Sequence, residues 1–116
     1  MTFKSDAGAP SRWPRDVYTD YATIKSSVRF TWDESKRQSN LEKHGIDFYQ
    51  AKEIWAGPIL RSQKRRRSKE RRFLVIGKIG ARFIAVVYTD RRGSKRIISA
   101  RPANRAEREA YQFRIG

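Results

Sequence analysis

The sequence lacks several residue types on which common catalytic and structural sites depend. It has no cysteine and a single histidine among its 116 residues. This composition excludes disulfide bridges, thiolate zinc sites and thiol nucleophiles, and it argues against a transition-metal site. No apolar run approaches the roughly 18 residues of a membrane span, and no apolar segment follows the N-terminus as in a signal peptide. We therefore expect a cytoplasmic protein that contacts no membrane and needs neither a metal nor a cofactor.

Acidic residues are scarce relative to basic ones. The chain has 27 lysines and arginines against 12 aspartates and glutamates, which gives a formal charge of +15. Because so basic a chain binds polyanions readily, nucleic acid is the first expected partner, ahead of an anionic membrane or an acidic protein. The sequence shows no P-loop, glycine-rich phosphate motif or paired-carboxylate site. The charge pattern therefore carries much of the functional information.

The length predicts one compact domain with an extension before it. Residues 1–27 contain Pro10 and Pro14 and show no clear hydrophobic period. We interpret them as an N-terminal extension that is flexible or loosely docked. Residues 28–116 form the predicted domain and carry almost all of the net positive charge.

Capping residues and apolar runs predict an α+β fold for this domain. Asp33 suits an N-cap and Gly45 suits the C-terminal cap, which predicts a helix over Glu34–His44. A short strand precedes this helix and a second helix capped by Asp47 follows it. Four strands follow, and a final helix completes the predicted order β-α-α-β-β-β-β-α. Asn104 and Glu107, three residues apart, predict a capping box at the start of that final helix. Short connections between the later strands favour an antiparallel sheet with helices covering one face.

The strongest local feature is a basic stretch over residues 64–72. A loop of this composition can hold phosphates through point charges and forked donors, or it can be a solvated loop that keeps the protein soluble. We predict that Lys64, Arg65, Arg66 and Arg67 contact RNA. Such contacts carry no sequence specificity, because the phosphate is common to all nucleotides.

His44 is a candidate for acid–base chemistry. It lies near the C-terminal end of the predicted helix, where the helix dipole favours the protonated ring. Asn40 lies one turn earlier, so the two side chains can form a polar pair on one helix face. A protonated histidine beside a phosphate can act as general acid on a leaving 5′ oxygen. The alternative is a histidine that merely completes the helix end.

Trp32 and Arg101 each have a functional and a structural interpretation. Trp32 precedes the helix cap, where an aromatic ring either stacks on a base or packs over the first helical turn. Arg101 ends a predicted strand at the rim of the sheet. There it either stabilises a phosphate in a transition state or pairs with Glu107 or Asp33.

Six segments of the sequence, taken in their order and spacing, resemble the BrnT family, the toxins of bacterial type II toxin–antitoxin modules. The resemblance extends from about Val28 to Tyr111. The segments are Phe30–Asp33, Asn40–Gly45, Arg71–Gly77, Tyr88–Thr89, Arg96–Arg101 and Glu107–Tyr111.

The resemblance implies a RelE-like fold and a ribonuclease activity that blocks translation. It also implies inhibition by BrnA, a ribbon-helix-helix antitoxin that brings two copies of the toxin together, as in a 2:2 complex. In such a complex the antitoxin supplies the DNA-binding surface, so this chain would meet DNA only through its partner. The extension over residues 1–27 has no counterpart in the family pattern.

RNA cleavage without a metal requires a base, an acid and a charge stabiliser for attack of the ribose 2′ hydroxyl on the adjacent phosphate. We assign His44 as the acid or base, and Arg72 and Arg101 as phosphate clamps. Trp32 would position a base, and Lys43 would join the basic stretch in binding the substrate. The acid–base partner of His44 stays open among Asp33, Glu70 and Lys43.

Two other functions fit the sequence. One is a noncatalytic module that binds RNA or the ribosome, and the other is a protein-interaction unit whose charge serves an acidic partner. A convergent catalytic site distinguishes the nuclease from both, whereas net charge does not.

Overall fold

The centre of the fold is a six-stranded mixed sheet. The computed structural model of the chain describes residues 18–20, 29–63 and 70–116. The strands lie in the order β1-β3-β4-β5-β6-β2 across the sheet. They are β1 (Tyr18–Asp20), β2 (Arg29–Trp32), β3 (Ile59–Gln63), β4 (Arg72–Ile79), β5 (Arg82–Arg91) and β6 (Ser94–Pro102). The α+β class is confirmed.

The expectation of a purely antiparallel sheet is wrong at one pairing. β2 runs parallel to β6, with Thr31 opposite Arg96, whereas the other strand pairs are antiparallel. A parallel pair needs a long crossover connection, and the helices and strands between β2 and β6 supply it. The turn signals used in the prediction report only on consecutive strands, so they could not reveal this pairing.

The observed order has one element that the predicted order lacks. β1 pairs with β3 and comes from the segment interpreted as an extension, of which only residues 18–20 are described. The second predicted helix is divided in two, because α2 (Phe48–Ala51) is followed directly by a 3-10 helix, Lys52–Ala56. The 3-10 helix packs against β4 at Gly77, where a Cβ atom would lie 2.6 Å from Cβ of Ile54. Glycine is therefore required for this close approach.

The first helix, α1, has the predicted bounds, Glu34–His44. Asp33 Oδ1 accepts hydrogen bonds from the backbone N–H groups of Ser35 and Lys36 at 2.9 and 3.2 Å. Gly45 ends the helix with φ of 71°, a left-handed conformation that glycine adopts without strain. Both predicted caps are confirmed.

Helices cover both faces of the sheet, which corrects the expectation of one covered face. On one side, α2 and the 3-10 helix pack on strand residues such as Val75 and Val86. On the other side, α3 (Arg105–Arg114) packs through Ala110 and Tyr111 on residues such as Ile76. Consecutive strand residues point to opposite faces, so the continuous apolar runs in β4 and β5 already indicate a sheet buried on both sides.

Asn40 attaches α1 to the edge of β6. Its side-chain amide donates to the carbonyl of Ala100 at 2.7 Å and accepts from the N–H of the same residue at 3.1 Å. It also donates to the carbonyl of Ile46 at 3.1 Å. β2 pairs with β6 only as far as Ile97. The Asn40 side chain therefore takes the place of a strand neighbour for backbone groups that need partners when buried.

Within the described parts of the chain, no helix is long and apolar enough to cross a membrane.

Candidate nucleic-acid interface

Two arginines lie in register at the end of the sheet where β4 begins. Arg72 is opposite Thr89, and Thr89 is opposite Arg96 on the next strand. Thr89 is buried and donates its hydroxyl to the carbonyl of Arg71 at 2.8 Å, which fixes the start of β4. Strand neighbours are about 5 Å apart, so Arg72 and Arg96 lie within about 10 Å at their backbones.

Glu70 links these arginines to Arg91. Its Oε2 atom accepts a hydrogen bond from Arg91 Nη2 at 2.6 Å, and its Oε1 atom lies 4.0 Å from Arg72 Nη2. The hydrogen bond from Arg91 is the main cause that lowers the pKa of Glu70, and the charges of Arg91, Arg72 and Arg96 add to it. A carboxylate held ionised in this way is a weak general base.

A cavity opens between this cluster and the N-terminal end of α1. Its volume is about 220 Å³, which exceeds the space that one phosphate group requires. Four of the residues that line it are basic, namely Lys36, Arg72, Arg91 and Arg96. A neighbouring cavity of about 370 Å³ shares Glu70 and Thr89 with it. We call the two cavities together the basic groove.

Arg72 has unused hydrogen-bonding capacity in the groove. Its Nε atom is buried and has no hydrogen-bond partner among the described residues. A buried donor without a partner is costly, and native proteins usually satisfy such groups with water or a ligand. A phosphate oxygen matches this requirement, because forked guanidinium donors bind phosphate through paired hydrogen bonds.

The basic stretch flanks the groove along the chain. Lys64, Arg65, Arg66 and Arg67 lie outside the described residues, so their predicted RNA contacts stay predictions. The described chain stops at Gln63 and resumes at Glu70, which lines the groove.

Trp32 packs on the second helix. Its ring meets Phe48 edge-on at 6.0 Å and Tyr49 edge-on at 4.7 Å, measured between ring centroids. Trp32 is half-buried against the core cluster, whereas Tyr49 is 56% exposed. Trp32 therefore packs as part of the core, with its ring contacts on α2, and the ring keeps a partly exposed surface.

His44 and Lys43 lie at the end of α1 away from the groove. α1 has 11 residues, so its two ends are about 16 Å apart. Asp33 and Lys36 line the groove at the first end, and His44 is half-buried at the last. Asp33 is therefore remote from His44. Hydrogen bonds from Ser35 and the helix backbone lower the pKa of the Asp33 carboxyl, so its structural role is to cap the helix.

Arg101 is held by α3. Its Nη1 and Nη2 atoms donate to the two carboxylate oxygens of Glu107 at 2.7 and 2.8 Å. Glu107 is 4% exposed and also accepts from the backbone N–H of Asn104 as part of a capping box. This carboxylate raises the pKa of Arg101. The structural alternative, a pair with Glu107, is realised, and the capping box predicted from the sequence is confirmed.

The structure thus separates the three predicted catalytic residues along the sheet. Arg72 is level with Arg96 across the sheet. Arg101 lies five residues after Arg96 on β6, so the backbones of Arg96 and Arg101 are about 16 Å apart along the strand. Asn40 bonds Ala100, so His44, one turn later, lies towards the Arg101 end. The side chain of Arg101 nevertheless points to the face that α3 covers.

Sequence reasoning missed three basic contributors to the groove, namely Lys36, Arg91 and Arg96. The turn at Gly80 fixes the register of β4 with β5, and the turn at Gly93 fixes that of β5 with β6. Hairpin rules could therefore have predicted the row of Arg72, Thr89 and Arg96. The position of Lys36 could not be predicted in this way, because it depends on the parallel placement of β2.

Among residues 18–20, 29–63 and 70–116, no group of three or more His, Cys, Asp or Glu side chains is placed to hold a metal ion.

Comparison with known proteins identifies a matching family model but no curated relative. No curated protein matches the chain. Residues 32–107 match the family model described as "Ribonuclease toxin, BrnT, of type II toxin-antitoxin system". The matched segment covers well over half of the chain, begins at Trp32 and includes the described residues that line the basic groove.

Proposed function

Since the chain belongs to the BrnT family of ribonuclease toxins of type II toxin–antitoxin systems, we propose that it cleaves RNA without a metal ion and thereby inhibits translation. The observation that carries this proposal is the basic groove, where Arg72 lies with Lys36, Arg91 and Arg96. The buried Nε atom of Arg72 has no hydrogen-bond partner among the described residues. A groove of this charge attracts the phosphate backbone of RNA whatever its sequence.

The proposed reaction is an internal transesterification. A base removes the proton of a ribose 2′ hydroxyl, and the resulting oxygen attacks the adjacent phosphorus. The bond to the 5′ oxygen breaks, and an acid donates a proton to that leaving oxygen. The products are a 2′,3′-cyclic phosphate and a free 5′ hydroxyl. Negative charge accumulates on the phosphate during the attack, and fixed guanidinium groups stabilise it.

Arg72 is the proposed charge stabiliser, because it lines the groove. His44 is the proposed acid or base. Lys43, beside it in α1, and Trp32, at the end of β2, are proposed to bind the substrate. Arg101 is the proposed second clamp. It has to contact phosphate through donors that Glu107 leaves free, since both its terminal nitrogens already hold that carboxylate.

A cleavage assay on the full chain, freed of its antitoxin, tests the proposal. RNA cleavage should persist in EDTA and yield cyclic phosphate ends. Arg72→Gln and His44→Ala should each lower the rate by about 10²-fold or more. Arg82→Gln serves as the matched control, because it removes one exposed arginine at the opposite end of the same sheet.

Three results would contradict the proposal. Cleavage that stops in EDTA and returns with Mg²⁺ would refute the metal-free reaction. Rates within about twofold of the parent for both Arg72→Gln and His44→Ala would place the site elsewhere, given the far larger usual contributions of such groups. RNA binding with no cleavage at all would indicate the noncatalytic alternative.

We also propose that a BrnA-like ribbon-helix-helix antitoxin neutralises the chain in a 2:2 complex. A free ribonuclease of charge +15 harms its own cell, so it requires an inhibitor. An acidic segment of the antitoxin that lies on the basic groove would keep RNA from binding there. Opposite charges also accelerate the association. The complex should be inactive on RNA, and operator DNA should bind the antitoxin and not the isolated toxin. Sequence-specific operator binding by the isolated chain would contradict this assignment.

A further inference from the structure

The basic groove already contains an anion of its own, the carboxylate of Glu70. Arg91 binds one of its oxygens at 2.6 Å, and Arg72 lies 4.0 Å from the other. Arg96 lies close enough for its charge to act on the same carboxylate. Three arginines from three strands therefore surround one side chain that carries two oxygens.

A carboxylate and a phosphodiester present similar targets to arginine. Each offers a pair of anionic oxygens to the forked guanidinium donors. Glu70 does not satisfy the whole cluster, because Arg72 Nε is buried and makes no hydrogen bond within the described residues. A phosphate brings additional acceptor oxygens, so it can reach donors that the shorter carboxylate leaves unused.

We propose that Arg72, Arg91 and Arg96 form a phosphodiester site that Glu70 occupies in the free protein, and that bound RNA displaces Glu70 from it. The inference rests on the proposed function only in taking RNA as the ligand. Glu70 precedes β4, which begins at Arg72. Its side chain can therefore turn away without breaking the strand pairing of β4 with β5.

The exposure of the cluster makes this exchange possible. The side chains of Glu70 and Arg72 are about one-third exposed, and that of Arg91 is 56% exposed. Ion pairs at such exposure are weak and are screened by salt. Displacing Glu70 therefore weakens RNA binding by a modest factor, about fivefold.

The test measures binding to a single-stranded 2′-O-methyl RNA oligonucleotide, which the proposed reaction cannot cleave. Glu70→Gln removes the competing charge and keeps the size of the side chain, so it should bind the oligonucleotide about fivefold more tightly. Glu109→Gln is the matched control, since Glu109 pairs with Arg105 on the exposed side of α3 and the change in net charge is the same. Glu109→Gln should shift the affinity by less than about twofold. Glu70→Ala provides a second variant with the same expected direction.

A double variant shows whether the gain acts through the cluster. In an Arg72→Gln background, Glu70→Gln should give a much smaller gain, because one of the competing arginines is absent. Inorganic pyrophosphate should compete with the oligonucleotide, and more effectively against the Glu70→Gln protein, if free phosphates use the same site.

The possible failures are distinguishable. Equal affinities for Glu70→Gln and Glu109→Gln would overturn the displacement, while a loss of RNA binding in Arg72→Gln alone would leave the proposed function intact. RNA binding and cleavage that are both indifferent to Arg72 would refute the groove itself. Tighter binding of the antitoxin without tighter binding of RNA would show that a protein carboxylate, and not a phosphodiester, is the ligand of the cluster.

Discussion

Replacing Asn40 by alanine should destabilise the protein strongly, although Asn40 belongs to a helix with almost no apolar core. The side chain is 8% exposed and makes three hydrogen bonds to backbone groups. Two of them satisfy both polar groups of Ala100 on β6, and the third satisfies the carbonyl of Ile46. Alanine would leave these groups without partners at the edge of the sheet.

The magnitude follows from the groups left unpaired. A buried donor or acceptor that loses its partner costs about 1–3 kcal/mol, and water can reach part of this edge once the amide is gone. We therefore expect Asn40→Ala to lower the free energy of unfolding by about 3 kcal/mol. For a domain of this size each kcal/mol corresponds to a decrease in the melting temperature of about 4 °C or more.

Chemical denaturation with circular dichroism measures this effect directly. Gln38→Ala is the control, because Gln38 is exposed on the same helix and alanine is also the better helix former there. Asn40→Asp should also be destabilised, since a carboxylate cannot donate to the carbonyls of Ala100 and Ile46. A loss below about 1 kcal/mol for Asn40→Ala would refute the reasoning, because it is the size expected for an exposed position.

Three further predictions follow from packing, charge and the basic stretch. Gly77→Ala should lower the free energy of unfolding by about 2 kcal/mol, because the new Cβ overpacks against the 3-10 helix. Gly57→Ala is the control and should change this free energy little, since nothing lies within 4 Å of its new Cβ. Equal losses for the two variants would refute the close approach at Gly77. Glu107→Gln should cost about 2 kcal/mol, because it weakens the bidentate pairing with the partly exposed Arg101 and loosens the cap of α3; an unchanged denaturation midpoint would contradict this. Replacing Lys64–Arg67 by serine should flatten the salt dependence of RNA binding by roughly 0.7 in the logarithmic slope for each phosphate that the chain no longer neutralises, and an unchanged slope would show that these residues only face solvent.

Local signals in the sequence predicted the helices well. The caps at Asp33, Gly45 and Asn104 act within a few residues, so they fix where α1 and α3 begin or end wherever those helices pack. The parallel pairing of β2 with β6 depends on contacts between residues more than 60 positions apart. Turn residues and periodicity carry no information at that range, and the mixed sheet was missed for this reason.

The candidate site was predictable only in part, for the same physical reason. The charge of +15 and the basic stretch indicate RNA. Arg72 ends that stretch directly before the predicted strand, and in the structure it is the first residue of β4. Its neighbours in the groove come from other strands and from α1, so composition alone could not group them. Helical spacing placed His44 beside Asn40, but it could not show that the amide of Asn40 binds β6.

Arg101 shows how stability and catalysis become entangled in this fold. Its removal leaves the nearly buried carboxylate of Glu107 without the two hydrogen bonds that balance its charge, and an uncompensated buried charge is strongly destabilising. A slower Arg101→Ala enzyme would therefore report on α3 as much as on phosphate. The pair Arg101→Ala and Arg101→Ala with Glu107→Ala separates the two effects, because the double variant removes the orphaned charge. If activity returns with stability in the double variant, Arg101 positions α3. If stability returns and activity does not, Arg101 itself contacts the reacting phosphate.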